Sequence, residues 1–106
     1  MTAQYAVATV KTATNAGHDA CGPTKGAKGN ELLEINDSPV MCVGDPFEDH
    51  GPCGDPFNHP RHTPTIAEGS EILEVDGKPV AFVTCKVSCP MPNTVASGDD
   101  TVLVEK

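Results

Sequence analysis

The side chains of this chain best suited to chemistry are four histidines and five cysteines: His18, His50, His59 and His62, with Cys21, Cys42, Cys53, Cys85 and Cys89. Imidazole nitrogen and thiolate sulfur are the donors that tetrahedral zinc prefers, and four of them close a structural site with no position left for water. Local spacing supplies no signature, because the chain has neither a Cys-x-x-Cys pair nor a His-x₃-His pair. An odd cysteine count excludes a complete disulfide framework within one chain. No nucleophile elbow, phosphate loop or Ser/His/Asp arrangement has support in the sequence. The chain therefore reads as no enzyme. One enzymatic alternative is a small zinc metallohydrolase, with His50, His59 and His62 around an open zinc and Asp55 or Glu48 as base. Water in place of Cys89 would mark it. A metal-storage or thiol-redox protein is disfavoured by the scatter of the cysteines.

A repeated segment supplies the frame that the local spacing lacks. Gly29-Asn30-Glu31-Leu32-Leu33-Glu34-Ile35-Asn36-Asp37-Ser38-Pro39-Val40 returns without a gap 40 positions on, as Gly69-Ser70-Glu71-Ile72-Leu73-Glu74-Val75-Asp76-Gly77-Lys78-Pro79-Val80. A frayed third copy begins at Gly98 and runs through Thr101-Val102-Leu103-Val104. His50 follows Gly29 by 21 positions and Cys89 follows Gly69 by 20, while His18 precedes Gly29 by 11 and His62 precedes Gly69 by 7. A pseudo-threefold arrangement would gather these four loop positions near one end of its axis. His59, three positions from His62, stays open as its rival. Cys85, four positions from Cys89, stays open as the rival thiol. Cys42, placed mid-strand, reads as a small buried apolar residue.

The elements that must carry these side chains are short. Residues 4–14 alternate as one strand, and 15–29 read as loop. Asn36-Asp37-Ser38 and Asp76-Gly77-Lys78 predict the turns of two hairpins, since Asp-Gly between β-rich runs is a strong hairpin signal. Residues 40–43 and 80–83 are the expected return strands. Thr101 to Val104 is expected as a last strand pairing with the first. Residues 44–68 form a long loop with an internal echo, Gly44-Asp45-Pro46-Phe47 and Gly54-Asp55-Pro56-Phe57, read as turn chemistry. Glu31, Glu34, Glu71 and Glu74 mark a solvated strand face. The expectation is a single compact all-β domain over residues 1–106 with pseudo-threefold symmetry.

Composition explains why such a domain needs a staple. The 106 residues are 38% apolar with four aromatics and no Trp, and ten Gly plus ten Pro leave little room for helices. So thin a core is near balance against chain entropy of roughly 1.5 kcal/mol per residue. A net charge of −8 argues against nucleic acid and against anionic lipid as partners. The N-terminus lacks a basic n-region, and no apolar run has membrane-spanning length. Synthesis in a cytosol follows as an expectation, and its reducing conditions favour metal ligation over disulfides.

With these residues in place, the chain resembles the PAAR-repeat family. The matching stretches are Gly69 to Ala81, Val43-Gly44-Asp45-Pro46 with His50, His62-Thr63-Pro64-Thr65-Ile66, and Val87-Ser88-Cys89-Pro90. Ala16-Gly17-His18-Asp19-Ala20 followed by Pro23-Thr24 looks most like the small spike-tip proteins of contractile-tailed phages. The resemblance implies a cone of short β-hairpins whose apex holds a structural zinc, or iron, on His18, His50, His62 and Cys89. It implies a base seated on a trimeric β-helical spike, one tip per trimer, with transient contact to a target envelope and no stable homo-oligomer. It places the protein in the virion, at the tail baseplate, after synthesis in the host cytoplasm, or in export by a secretion apparatus such as type VI. The pattern departs from the family at Pro79-Val80-Ala81-Phe82, at His62-Thr63-Pro64, and at Thr84-Cys85, where a second Gly-Asp is expected.

Overall fold

In the computed structural model, residues 4–17, 22–49, 63–88 and 93–105 are described. They contain ten short strands and no helix: β1 (Gln4–Val7), β2 (Thr14–Asn15), β3 (Asn30–Ile35), β4 (Ser38–Val40), β5 (Thr65–Ile66), β6 (Glu74–Val75), β7 (Lys78–Pro79), β8 (Lys86–Ser88), β9 (Asn93–Ser97) and β10 (Asp99–Glu105).

Turn chemistry sets the first tier. Asn36 and Asp37 take φ of 51° and 63°, and Asp76 and Gly77 take 55° and 75°. Two consecutive positive φ values make the primed turn whose twist matches antiparallel strands. β3 thus folds onto β4, and β6 onto β7. The third hairpin is assembled from the two ends of the described chain, β1 against β10, with Tyr5 opposite Val104 and Ala6 opposite Leu103. The expected pairing of first and last strands is present.

Three triplets then close a ring of backbone hydrogen bonds. Ala8 N–H donates to Ala81 C=O (2.9 Å), Ala81 N–H to Met41 C=O (2.8 Å), and Met41 N–H to Ala8 C=O (2.9 Å). All three residues are fully buried. Around them a second cycle runs in the opposite sense: Val10 N–H donates to Pro39 C=O, Val43 N–H to Pro79 C=O, and Val83 N–H to Ala6 C=O, at 2.9, 3.0 and 2.9 Å. These cycles are the pseudo-threefold axis in hydrogen-bond form. Val7, Val40, Val80, Met41, Phe82, Phe47, Ile66 and Val95 pack beside it as the core, and Tyr5 stacks on Phe82 at 5.4 Å.

The second tier is a closed circuit of six strand segments. β2, β9, β8 and β5 form one antiparallel sheet. Bridges from Thr65 to Pro46, from Phe47 to Gly26 and from Lys25 to Thr14 join its two edges. Within the ring each of the six segments is paired on both sides. The result is the expected all-β cone: three hairpins at one end and a closed ring at the other.

Several element boundaries differ from the sequence expectation. Residues 4–14 are not one strand, because Thr9 C=O accepts from Thr12 and Ala13 N–H (3.2 and 2.8 Å) and the two threonine hydroxyls share a 2.6 Å hydrogen bond. Local hydroxyl bonding diverts the backbone into a turn. The return strands end at Val40 and Pro79, since residues 41–43 and 81–83 serve the central cycles instead. Within 15–29 and 44–68, Asn15, Lys25, Gly26, Pro46, Phe47 and β5 belong to the closed ring.

Candidate functional site

The ring has a direction. In each unit the chain leaves the central cycle through a tight turn, climbs one ring strand, and descends the next. The climbing segments are 13–16, 45–48 and 85–88; the descending ones are 24–27, 64–67 and 93–96. Ala27 N–H donates to Pro46 (3.0 Å), Ala67 to Lys86 (2.9 Å), and Ala16 to Thr94 (2.8 Å), so neighbouring units interlock cyclically. The three connections between climb and descent therefore leave from one rim. Its described borders are Gly17 and Gly22, Asp49 and Thr63, and Ser88 and Asn93.

His18, His50, His59, His62 and Cys89 lie outside the described residues, as do Cys21, Cys53 and Asp55. Their places in the chain can still be counted from the ring. Ring pairing puts Ala13, Asp45 and Cys85 at one level, each accepting from the facing N–H of Gly26, Ile66 or Val95 (3.1, 2.9 and 2.9 Å). His18 and His50 each follow that level by five positions and Cys89 by four. His62 directly precedes Thr63, and His59 stands three positions further back. The repeat in sequence could not show this equivalence of His18 with His50, because an extra residue at the Thr9–Thr12 turn shifts the first unit.

Hydrogen bonds tie the rim borders in pairs. The Thr63 hydroxyl donates to Asp49 Oδ1 at 2.5 Å, joining the residue before His50 to the residue after His62. Gly17 N–H donates to Asn93 Oδ1 at 3.0 Å and to Asn15 Oδ1 at 3.1 Å. Asn15 Nδ2 donates to Thr24 Oγ1 at 2.6 Å.

The two described thiols stand elsewhere. Cys42 and Cys85 are fully buried. Cys42 behaves as the small core residue expected: burial, reinforced by the Asp45 carboxylate, pushes its thiol up to about 11, and it stays protonated at neutral pH. Cys85 accepts from Phe82 N–H at 3.4 Å in the turn below the ring, at the end of the climbing segment away from the rim. Glu48, a suggested base, is exposed, and its N–H is used by Lys25 C=O at 2.7 Å. Among the described residues no three His, Cys, Asp or Glu side chains are grouped to hold a metal. The donor set implied for a metal, three imidazoles and one thiolate, suits closed tetrahedral zinc by its chemistry.

A family model described as PAAR motif matches residues 54–106, the second half of the chain. No curated protein matches the chain.

Proposed function

The chain belongs to the PAAR motif family, and from that premise we propose that it caps the trimeric β-helical spike of a contractile phage tail and sharpens it for piercing a bacterial envelope. PAAR proteins are spike tips of contractile injection systems; the phage tail, as against a type VI secretion spike, is the finer reading. The early Ala16-Gly17-His18-Asp19-Ala20 stretch favours it.

The observation that carries the proposal is the cyclic hydrogen bonding of Ala8, Met41 and Ala81. A single chain with near-threefold symmetry can meet the blunt end of a true threefold trimer on a common axis, so one tip per trimer is the natural stoichiometry. The hairpin tier offers the apolar contact: Leu32 and Ile72, equivalent in the repeat, are 75% and 72% exposed, and Leu103 is 47% exposed. The matched exposure of Leu32 and Ile72 supports this tier as the surface a spike would cover.

At the rim, His18, His50, His62 and Cys89 would hold a structural zinc, with iron the alternative. A bound ion would supply cross-linking between units and no reaction. Elemental analysis of Cys89→Ser and His62→Ala, against His59→Ala as control, tests the ligand set. Mixing the protein with a purified trimeric spike and weighing the complex tests the partner. One chain per trimer is the expected result; failure to co-purify, or three chains per trimer, defeats the reading.

A further inference from the structure

Two asparagines sit where an apolar residue would have served. In the ring register Asn15 holds the level that Phe47 and Val87 hold in the other units, and all three are buried. Asn93 is 6% exposed and borders the segment that contains Cys89. A buried amide costs free energy unless its hydrogen bonds are made. Both carboxamide oxygens make theirs to one donor, the N–H of Gly17, from two different units. Asn93 Oδ1 also takes Thr94 N–H at 2.9 Å, and Asn15 Oδ1 takes Thr24 N–H at 3.3 Å. Gly17 itself has φ of 78°, a conformation open to glycine at little cost. The residue after Gly17 is His18.

We infer that Asn15 and Asn93 are positioning residues for the metal-bearing rim, fixing the backbone from which His18 departs and locking it to the segment that carries Cys89. The inference rests on the zinc reading above. Neither asparagine is a ligand. Their effect is to hold Gly17, the residue before His18, against Asn93, the first described residue after Cys89, so that less ordering would remain to be done when the ion binds. The Thr63–Asp49 bond does the same for the flanks of His50 and His62.

The test is zinc affinity of the full chain, measured by competition with a chromophoric chelator, alongside the melting temperature of the metal-free form. Asn93→Ala is expected to weaken zinc binding roughly 10–100-fold, the usual effect of removing a group that orients ligands. Asn93→Asp keeps an acceptor oxygen and is expected to restore most of that loss. A merely structural role would lower the metal-free and zinc-bound stabilities equally and leave affinity unchanged; that result overturns the inference. If Asn93→Ala does not fold, Thr63→Val, at an exposed position, carries the test, with unchanged affinity again decisive against it. If the unaltered protein binds no zinc, the metal reading itself fails; if it binds and the variants bind equally, only the positioning role fails.

Discussion

Thr84 holds φ of 86°, at the position where the preceding unit has Gly44 at 94°. A β-branched residue in the left-handed region stores strain of about 1–3 kcal/mol. The strain persists because Thr84 N–H is committed to Val95 C=O at 2.9 Å. Thr84→Gly relieves it at an entropic cost of about 0.5–1 kcal/mol, so a net gain of about 1 kcal/mol is expected in urea unfolding. A loss would mean that the threonine side chain contributes more than its backbone costs. Asp99 makes a second prediction. The Thr101 hydroxyl and amide, and then the Asn36 amide, hold its carboxyl below the ordinary value of 3.8. Its folded pKa lies below its unfolded one, so its contribution to stability is complete above the unfolded value and disappears as pH falls through the folded value. Asp99→Asn is expected to lower stability at neutral pH and to flatten the loss in acid, read from melting temperatures between pH 6 and 2. Residues such as Cys42 could be read from sequence because a thiol amid strand residues is most simply core. Asn15 and Asn93 could not, since their significance lies in a shared partner, Gly17, which is 76 positions away from Asn93 in the chain.

The hairpins were legible because their turns are local: Asn36-Asp37 and Asp76-Gly77 need only their own φ values. The break after Val7 and the closed ring were not, because each depends on partners from other units, such as Phe47 across from Gly26. The glycine that opens every copy has a specific reason. A Cβ on Gly29 would lie 2.6 Å from Val40 O, on Gly69 2.8 Å from Pro79 O, and on Gly98 2.6 Å from Val7 O. Each is the point where a hairpin crosses its own return strand. Alanine at any of the three is expected to destabilise by about 1–3 kcal/mol through forced backbone displacement. Gly22→Ala, with nothing within 4 Å of the added carbon, is the matched control and should be neutral. On the same hairpins, Leu32→Asp with Ile72→Asp should leave the melting temperature within a few degrees, since both side chains are already exposed, while abolishing co-purification with the spike. Retained binding would put the contact on another face.

For the whole molecule, the repeat announced the symmetry, and the structure supplies its cause in cyclic backbone bonding. The repeat already led to the expectation that the loop positions gather near one end of the axis; what it could not supply is the pairing of strands distant in sequence that sets the described borders on one rim. Symmetry also explains why an ion would matter. The units interlock through backbone bonds at the axis and the ring, and at the rim Gly17 N–H donates to Asn93 Oδ1 across two of them. An ion gripped by His18, His50, His62 and Cys89 would cross-link all three units through side chains, in addition to these backbone bonds. Binding to the folded state alone stabilises by about 4 kcal/mol when free zinc is a thousandfold above Kd. For a domain of this size each 1 kcal/mol moves the midpoint by about 4–8 °C. Chelation is therefore expected to lower the melting temperature by about 15–30 °C, with recovery on adding zinc back. Cys89→Ser should melt near the chelated protein, with little further response to chelator. A midpoint that stays fixed after metal removal, verified by elemental analysis, would mean that the cyclic hydrogen bonds hold the tip together unaided.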